Sequence, residues 1–191
     1  GISSLATVGL EEIGRTISTP KLFQLYVHKD KGLNKAMVDA CKAAKFDAIA
    51  LTVDTIVSGK RERCMRTGFS SPPKLTPGSA WQYAIKPQWM LNYFGREKFD
   101  LPNLSGHLAE GSKFALPIAD YFNTMLDQSM DWKTAEGIRA DWGGEFCLKG
   151  VMSVEDARRA VDIGATAIMV SNHGGRQLDG SRAPFDQLAE I

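Results

Sequence analysis

Two periodicities alternate along this chain, and together they predict strands separated by helices. Thr7 to Ile17 carries apolar residues at Val8, Leu10, Ile13 and Ile17, with Glu11 and Glu12 early, which predicts a short helix ending before Pro20. Leu22 to Val27 predicts a strand. Asp30 is placed to cap a helix whose stripe is Leu33, Ala36, Met37, Ala40 and Ala44. Phe46 to Val53 predicts a buried strand that runs into Asp54. Strand, helix and strand joined by short links form a βαβ unit, hence a parallel sheet. The pattern returns downstream. Glu145 to Lys149 predicts a strand, Ser153 caps a helix reaching Gly164 with Asp156 placed for a capping box, Ala165 to Val170 predicts another strand, and a helix starts at Phe185.

Between these blocks, roughly from Arg63 to Trp142, lies a long excursion. Its first half is rich in Pro, Gly and Ser, and three helices are expected, near Ala84–Phe94, Ile118–Leu126 and Trp132–Trp142. Trp81 to Phe94 concentrates aromatic and aliphatic residues. An excursion of this length serves as a lid, a binding loop or a partner surface.

Polar and charged residues gather where the strands end: Tyr26, Thr52 and Asp54, Lys149, and His173. In parallel α/β architectures that rim is where ligands bind. The richest stretch is Ser171-Asn172-His173-Gly174-Gly175-Arg176-Gln177, directly after the apolar run Ala167-Ile168-Met169-Val170. It places an imidazole able to accept a proton near neutral pH three residues from a fixed cation. The two intervening glycines let the backbone come close to a ligand. A base beside an anion clamp suits deprotonation of a substrate that bears a carboxylate. Lys149 ends a strand, and a buried lysine needs an anionic partner.

Composition narrows the field. The chain has 191 residues, enough for one ordinary domain with a real core. Its net charge of +1, with both signs interspersed, leaves no electrostatic footprint for nucleic acid. The three cysteines, Cys41, Cys64 and Cys147, are scattered and form no CxxC pair, so reduced thiols in a cytoplasmic protein are expected and no metal site is. No apolar stretch reaches the ~18 residues of a spanning helix, and no leader peptide is expected. Both ends fall inside predicted elements and have the look of cuts in a longer chain.

The Ser171–Gln177 run resembles the signature of the FMN-dependent α-hydroxy acid dehydrogenase and oxidase family, which includes glycolate oxidases, L-lactate dehydrogenases and mandelate dehydrogenases. Phe23-Gln24-Leu25-Tyr26-Val27, Leu51-Thr52-Val53-Asp54-Thr55 and Leu148-Lys149-Gly150-Val151 are similar to that family's other strand ends, in the same order. The resemblance implies a (β/α)8 TIM barrel, of which residues 1–191 supply a central part with an insert at about 63–142. A complete barrel needs about 250 residues.

The resemblance also implies FMN as cofactor and oxidation of an L-2-hydroxy acid to the 2-oxo acid. It makes His173 the base, Asp54 its partner, Arg176 and Arg61 the substrate-carboxylate ligands, and Tyr26 a catalytic and substrate-binding hydroxyl. Ser3, Gln24, Thr52 and Lys149 become the groups facing the flavin, with Lys149 beside the ring edge that turns negative on reduction. Oxygen, a quinone or a cytochrome is the expected electron acceptor. Two departures stand out. Ile56-Val57-Ser58-Gly59-Lys60-Arg61 replaces a Pro-Arg-Leu-Gly-Arg-Arg run common in the family, and Leu5 stands where plant-type glycolate oxidases carry Trp. The second favours lactate or a larger acid over glycolate. Peripheral contact of residues 81–94 with the inner face of a membrane, and assembly into a homo-oligomer that covers apolar strand edges, are further expectations. Two readings compete: a non-flavin TIM-barrel isomerase or aldolase with the same rim, and a catalytically incompetent fragment.

Overall fold

The computed structural model describes residues 1–57, 59–68, 76–95, 101–105 and 124–191. Five strands form one sheet: β1 (Ile2–Ser3), β2 (Leu22–Leu25), β3 (Ala48–Thr52), β4 (Glu145–Val151) and β5 (Ala167–Val170). All neighbours are parallel, and the order in the sheet is the order in the chain. That order decides the architecture. A doubly wound sheet reverses direction at a switch point and places helices on both faces. Here each crossover moves the chain one strand further the same way; with the right-handed connections that parallel units adopt, helices accumulate on one side and the sheet forms part of a barrel wall.

Register sorts the side chains into two faces. Phe23, Ile49 and Phe146 lie side by side, as do Leu25, Leu51, Leu148 and Ile168. All but Ile168 of these are at most 1% exposed, and they share a core with Leu33, Met37, Val38 and Cys41 of α2 (Lys31–Ala43). Strand side chains alternate, so the residues between them face the barrel interior. That face carries Ser3 beside Gln24, and Thr52 beside Lys149.

Local chemistry fixes the helices. The Asp30 carboxylate accepts the Leu33 N–H at 3.1 Å and starts α2 where its position predicts. α1 spans Leu10–Thr16, shorter than the Thr7–Ile17 pattern, because Gly9 is extended and sets a later start. Arg61 and Lys86 precede α3 (Glu62–Thr67) and α5 (Pro87–Phe94), while Thr76 caps α4 (Pro77–Ala84). The helix expected near Ala84–Phe94 therefore starts three residues later, at Pro87, and a separate helix, α4, precedes it. Pro87 forces Lys86 out of helical geometry and restarts the helix at its own first position. α6 (Pro102–Ser105) docks on α1 through Asn103, whose Oδ1 accepts the Leu10 N–H at 3.0 Å. The helix expected over Ile118–Leu126 lies for the most part outside the described residues.

α7 (Trp132–Trp142) has the predicted bounds; the Asp131 carboxylate caps it and it packs on α2. It is the crossover helix leading into β4, so the excursion proper ends before it. α8 (Val154–Asp162) starts at Ser153, whose hydroxyl accepts the Asp156 N–H at 3.0 Å. The Asp156 carboxylate accepts the Ser153 hydroxyl at 2.8 Å; this differs from a full capping box, in which a longer Glu or Gln reaches the cap's backbone N–H. α9 (Pro184–Leu188) follows β5 and a long turn.

Candidate active site

Asp54 sits two residues past the end of β3, and His173 three residues past the end of β5. Their side chains meet: His173 Nδ1 lies 3.0 Å from each carboxylate oxygen of Asp54. The two side chains are 22% and 13% exposed, so the pair is largely withdrawn from water yet open on one side. A carboxylate only accepts, so Nδ1 carries a proton, and in the neutral ring Nε2 is the acceptor. Lys149 Nζ approaches the same Nδ1 to 3.4 Å. With that nitrogen already donating to Asp54, the approach sets a cation beside the pair and adds no hydrogen bond. Among the described residues Lys149 makes no ion pair.

The imidazole is delivered by an unusual backbone. His173, Gly174 and Gly175 are consecutive left-handed residues, with φ of 59°, 67° and 67°. For a non-glycine this is sparsely populated and persists only where the surroundings over-determine it. They do so here. Ser171 Oγ accepts the His173 N–H at 3.1 Å, and Asn172 Oδ1 accepts the Gly175 N–H at 3.1 Å. Asn172 Nδ2 donates to the Arg182 carbonyl at 3.1 Å.

A polar chain runs along the interior face. Ser3 Oγ donates to Gln24 Oε1 at 2.5 Å, and Gln24 Nε2 donates to Thr52 Oγ1 at 2.6 Å. Tyr26 is 8% exposed. Burial raises the pKa of its hydroxyl above 10, the negative charge of Asp54 raises it further, and Arg61 opposes both. Tyr26, Asp54 and Arg61 thus share one electrostatic neighbourhood. Arg61 and Arg176 are exposed, and among the described residues neither guanidinium hydrogen-bonds a protein group. The structure therefore joins Asp54, His173 and Lys149 by contact, joins Ser3, Gln24 and Thr52 by hydrogen bonds, and leaves both arginine heads unengaged.

Three residues without a sequence-assigned role belong to the site. Gln177 Nε2 donates to the Val57 carbonyl at 3.0 Å and to the Asp54 carbonyl at 3.3 Å. A Cβ at Gly59 would stand 1.9 Å from the Arg176 carbonyl oxygen, so only glycine allows those two loops to touch. Gly150, at φ 111° in the irregularity between Lys149 and Val151, makes room for Asp54. Gln177 lay in view within the seven-residue run; the glycine approaches depend on loops brought together only by the fold. A groove of about 580 Å³ lies away from the rim, between α2 and α7. Within it Lys35 pairs with Asp141, and its lining carries no histidine or cysteine.

A sequence model of the family described as "FMN-dependent dehydrogenase" matches residues 1–191. The chain belongs to the FMN-dependent dehydrogenase family. Among family members, an L-lactate dehydrogenase of Pseudomonas entomophila (strain L48) is 40% identical over 184 residues, which is 94% of this chain and 47% of that protein. An L-lactate dehydrogenase of Vibrio parahaemolyticus serotype O3:K6 is 39% identical over 195 residues, which is 100% of this chain and 50% of that one. The solved structure of a monotopic membrane protein, (S)-mandelate dehydrogenase, superposes with TM-score 0.87 at 28% identity, covering 99% of this chain and 50% of that one. A mandelate oxidase structure superposes with TM-score 0.73 at 35% identity, covering 100% and 45%. The chain thus spans about half the length of the curated relatives it matches.

Proposed function

We propose that this chain forms the flavin- and substrate-facing wall of an FMN-dependent L-2-hydroxy acid dehydrogenase or oxidase acting on lactate or a somewhat larger acid. The observation that carries the reading is the Asp54–His173 pair: a strained, half-buried imidazole whose outward nitrogen is left as a base. His173 Nε2 takes the proton of the substrate hydroxyl, and Asp54 stabilises the imidazolium that results. Arg176 grips the substrate carboxylate with parallel N–H donors, and Arg61 adds a second positive charge. Tyr26, held protonated by burial and by Asp54, donates to the substrate oxygen. Leu5, in place of a larger ring, leaves room for a side chain beyond that of glycolate.

The donor set on the interior face fits an FMN ring edge. Ser3, Gln24 and Thr52 are linked donor to acceptor, which fixes the amide of Gln24 and leaves the Thr52 hydroxyl proton for a ring acceptor. The Lys149 ammonium lies beside them with no carboxylate of its own, suited to a ring edge that gains negative charge. When bound, FMN supplies the acceptor for the electron pair that leaves the substrate α-carbon, and an external oxidant, oxygen, a quinone or a cytochrome, closes the cycle. This need for an electron acceptor separates the reading from an isomerase or aldolase on the same rim. A structural remnant would have no use for the left-handed His173.

Residues 81–94 supply a membrane-facing surface in the same reading. Tyr83, Trp89 and Tyr93 stack at 5.0 Å centroid spacing, and Trp81, Leu91 and Phe94 are 70%, 76% and 72% exposed. Interfacial aromatic belts have this composition. No helix among the described residues is long and apolar enough to cross a membrane; the contact proposed is peripheral, with the inner face of the membrane. A homo-oligomer would cover the exposed face of β5.

Steady-state dye reduction with added FMN tests the assignment. L-lactate or L-mandelate supports turnover, the D-enantiomers do not, and His173→Gln abolishes it; turnover that survives that substitution overturns the reading.

A further inference from the structure

We propose that Gln177 is a positioning residue that holds the His173 imidazole in its Nδ1-protonated form, acting through Asp54. The inference rests on the reading of Asp54 and His173 as the base pair and adds how that pair is kept in register. Gln177 stands four residues beyond His173 on the same turn. Its carboxamide reaches across to the segment after β3 and donates to the carbonyls of Asp54 and Val57, at 3.3 and 3.0 Å. One side chain therefore ties the turn that bears the imidazole to the backbone that bears the carboxylate.

Two glycines close the same junction. At Gly59 a Cβ would lie 1.9 Å from the Arg176 carbonyl oxygen and 2.7 Å from Gln177 Oε1. The loop can approach this closely only because that side chain is absent, and the approach brings the Val57 carbonyl within reach of Gln177. On the opposite side, a Cβ at Gly150 would lie 2.7 Å from both Cβ and Cγ of Asp54. Asp54 is thus boxed between the β4 irregularity and the segment anchored by Gln177. The boxing matters because the carboxylate meets Nδ1 symmetrically, with both oxygens at 3.0 Å. A shift of the 54–57 segment by a fraction of an ångström would break that symmetry. Lys149, 3.4 Å from the same nitrogen, would then donate to Nδ1 and move the imidazole proton to Nε2. Nε2 would become a donor and no longer a base. Gln177 touches neither reacting atom; it decides which of two neighbours, a carboxylate or an ammonium, addresses Nδ1.

The test is the His173 tautomer in the 191-residue chain, read from long-range ¹H–¹⁵N NMR spectra and assigned by loss of the signal in His173→Gln. The native chain shows Nδ1–H. Gln177→Met keeps side-chain length and removes the N–H donors; the Nε2–H form is expected to become the major one. Gln177→Glu, which replaces both donors with acceptors, is read the same way and serves if the Met variant does not fold. With FMN and hydroxy acid, kcat of either variant falls on the order of tenfold while KM holds, as expected for misalignment without loss of binding. Asp54→Asn separates the two levels. If it shifts the tautomer and folded Gln177 variants keep Nδ1–H, the positioning role of Gln177 is overturned and the base pair stands. If Asp54→Asn itself leaves the tautomer unchanged, the base-pair reading fails.

Discussion

Asp54 and His173 lie 119 positions apart in the sequence, yet both carboxylate oxygens stand 3.0 Å from the imidazole Nδ1. In the proposed reading, Asp54 orients the base and balances its positive charge. Asp54→Asn keeps the shape and removes the charge; kcat/KM is expected to fall by about 10² to 10⁴ with flavin binding intact. His173→Gln is expected to fall at least as far. A double variant no slower than the worse single one would show the two acting as a unit.

Arg176 and Arg61 are predicted to differ in rank. Both guanidiniums are exposed and unengaged among the described residues, but Arg176 shares the tight turn with His173. Arg176→Met is expected to raise KM for the hydroxy acid by roughly 10- to 100-fold, the loss of a charge-assisted contact. Arg176→Lys restores little, because an ammonium cannot reproduce a two-pronged grip. Arg61→Met is expected to have the smaller effect. Steady-state KM values for the three variants check the order.

Lys149 is predicted to matter for the cofactor rather than for folding. Its ammonium makes no ion pair among the described residues, so Lys149→Met breaks none. Weakening of FMN binding by about tenfold or more is expected, read by quenching of flavin fluorescence. An unchanged melting midpoint of the apoprotein would accompany it.

His28 gives the protein an acid limit. It is 0% exposed; its backbone N–H donates to Asn34 Oδ1 at 2.8 Å, and Asn34 Nδ2 donates back to the His28 carbonyl at 2.7 Å. Burial lowers its pKa from 6.5 to about 4, against weaker support for the charged form from Asn34, Asp30 and the Tyr26 backbone. The unfolded chain therefore binds the proton first as pH falls. The stability from a neutral His28 is complete above pH 6.5, erodes as pH drops from 6.5 toward 4, and is lost below about 4. The full loss is about 3 kcal/mol. Urea midpoints measured across that window should fall, and His28→Gln should flatten the slope over the same interval.

The aromatic pair of helices predicts membrane affinity that can be removed without touching the rim. Deleting the exposed side chains of Trp81, Leu91 and Phe94 together should abolish co-sedimentation with liposomes while leaving dye reduction unchanged. Equal pelleting of the native chain and the triple variant would remove the membrane from the account.

Much of this was legible in the sequence, for identifiable reasons. α2 and the barrel helix α7 carry an Asp cap and an apolar stripe, both local signals, and their bounds follow. The polar strand ends and the His173–Arg176 spacing are local too, so the rim could be drawn before any coordinates. The break at Lys86 needed the weight of Pro87 against a continuous aromatic pattern. Other features were not legible because they belong to pairs of distant segments. That Gly59 meets the Arg176 carbonyl, and that Gly150 accommodates Asp54, depends on loops after different strands converging. The left-handed His173 was not legible either: histidine is enriched at positive φ among non-glycine residues, but the Ser171 and Asn172 contacts that hold it there belong to the folded turn.

The most direct test follows the flavin itself. The chain is mixed with FMN without oxygen, and the visible flavin bands are recorded before and after L-lactate or L-mandelate. The account predicts that the bands bleach with the native chain and persist with His173→Gln at equal flavin occupancy. Bound FMN that keeps its bands with every L-2-hydroxy acid offered, or that bleaches equally without His173, would contradict it.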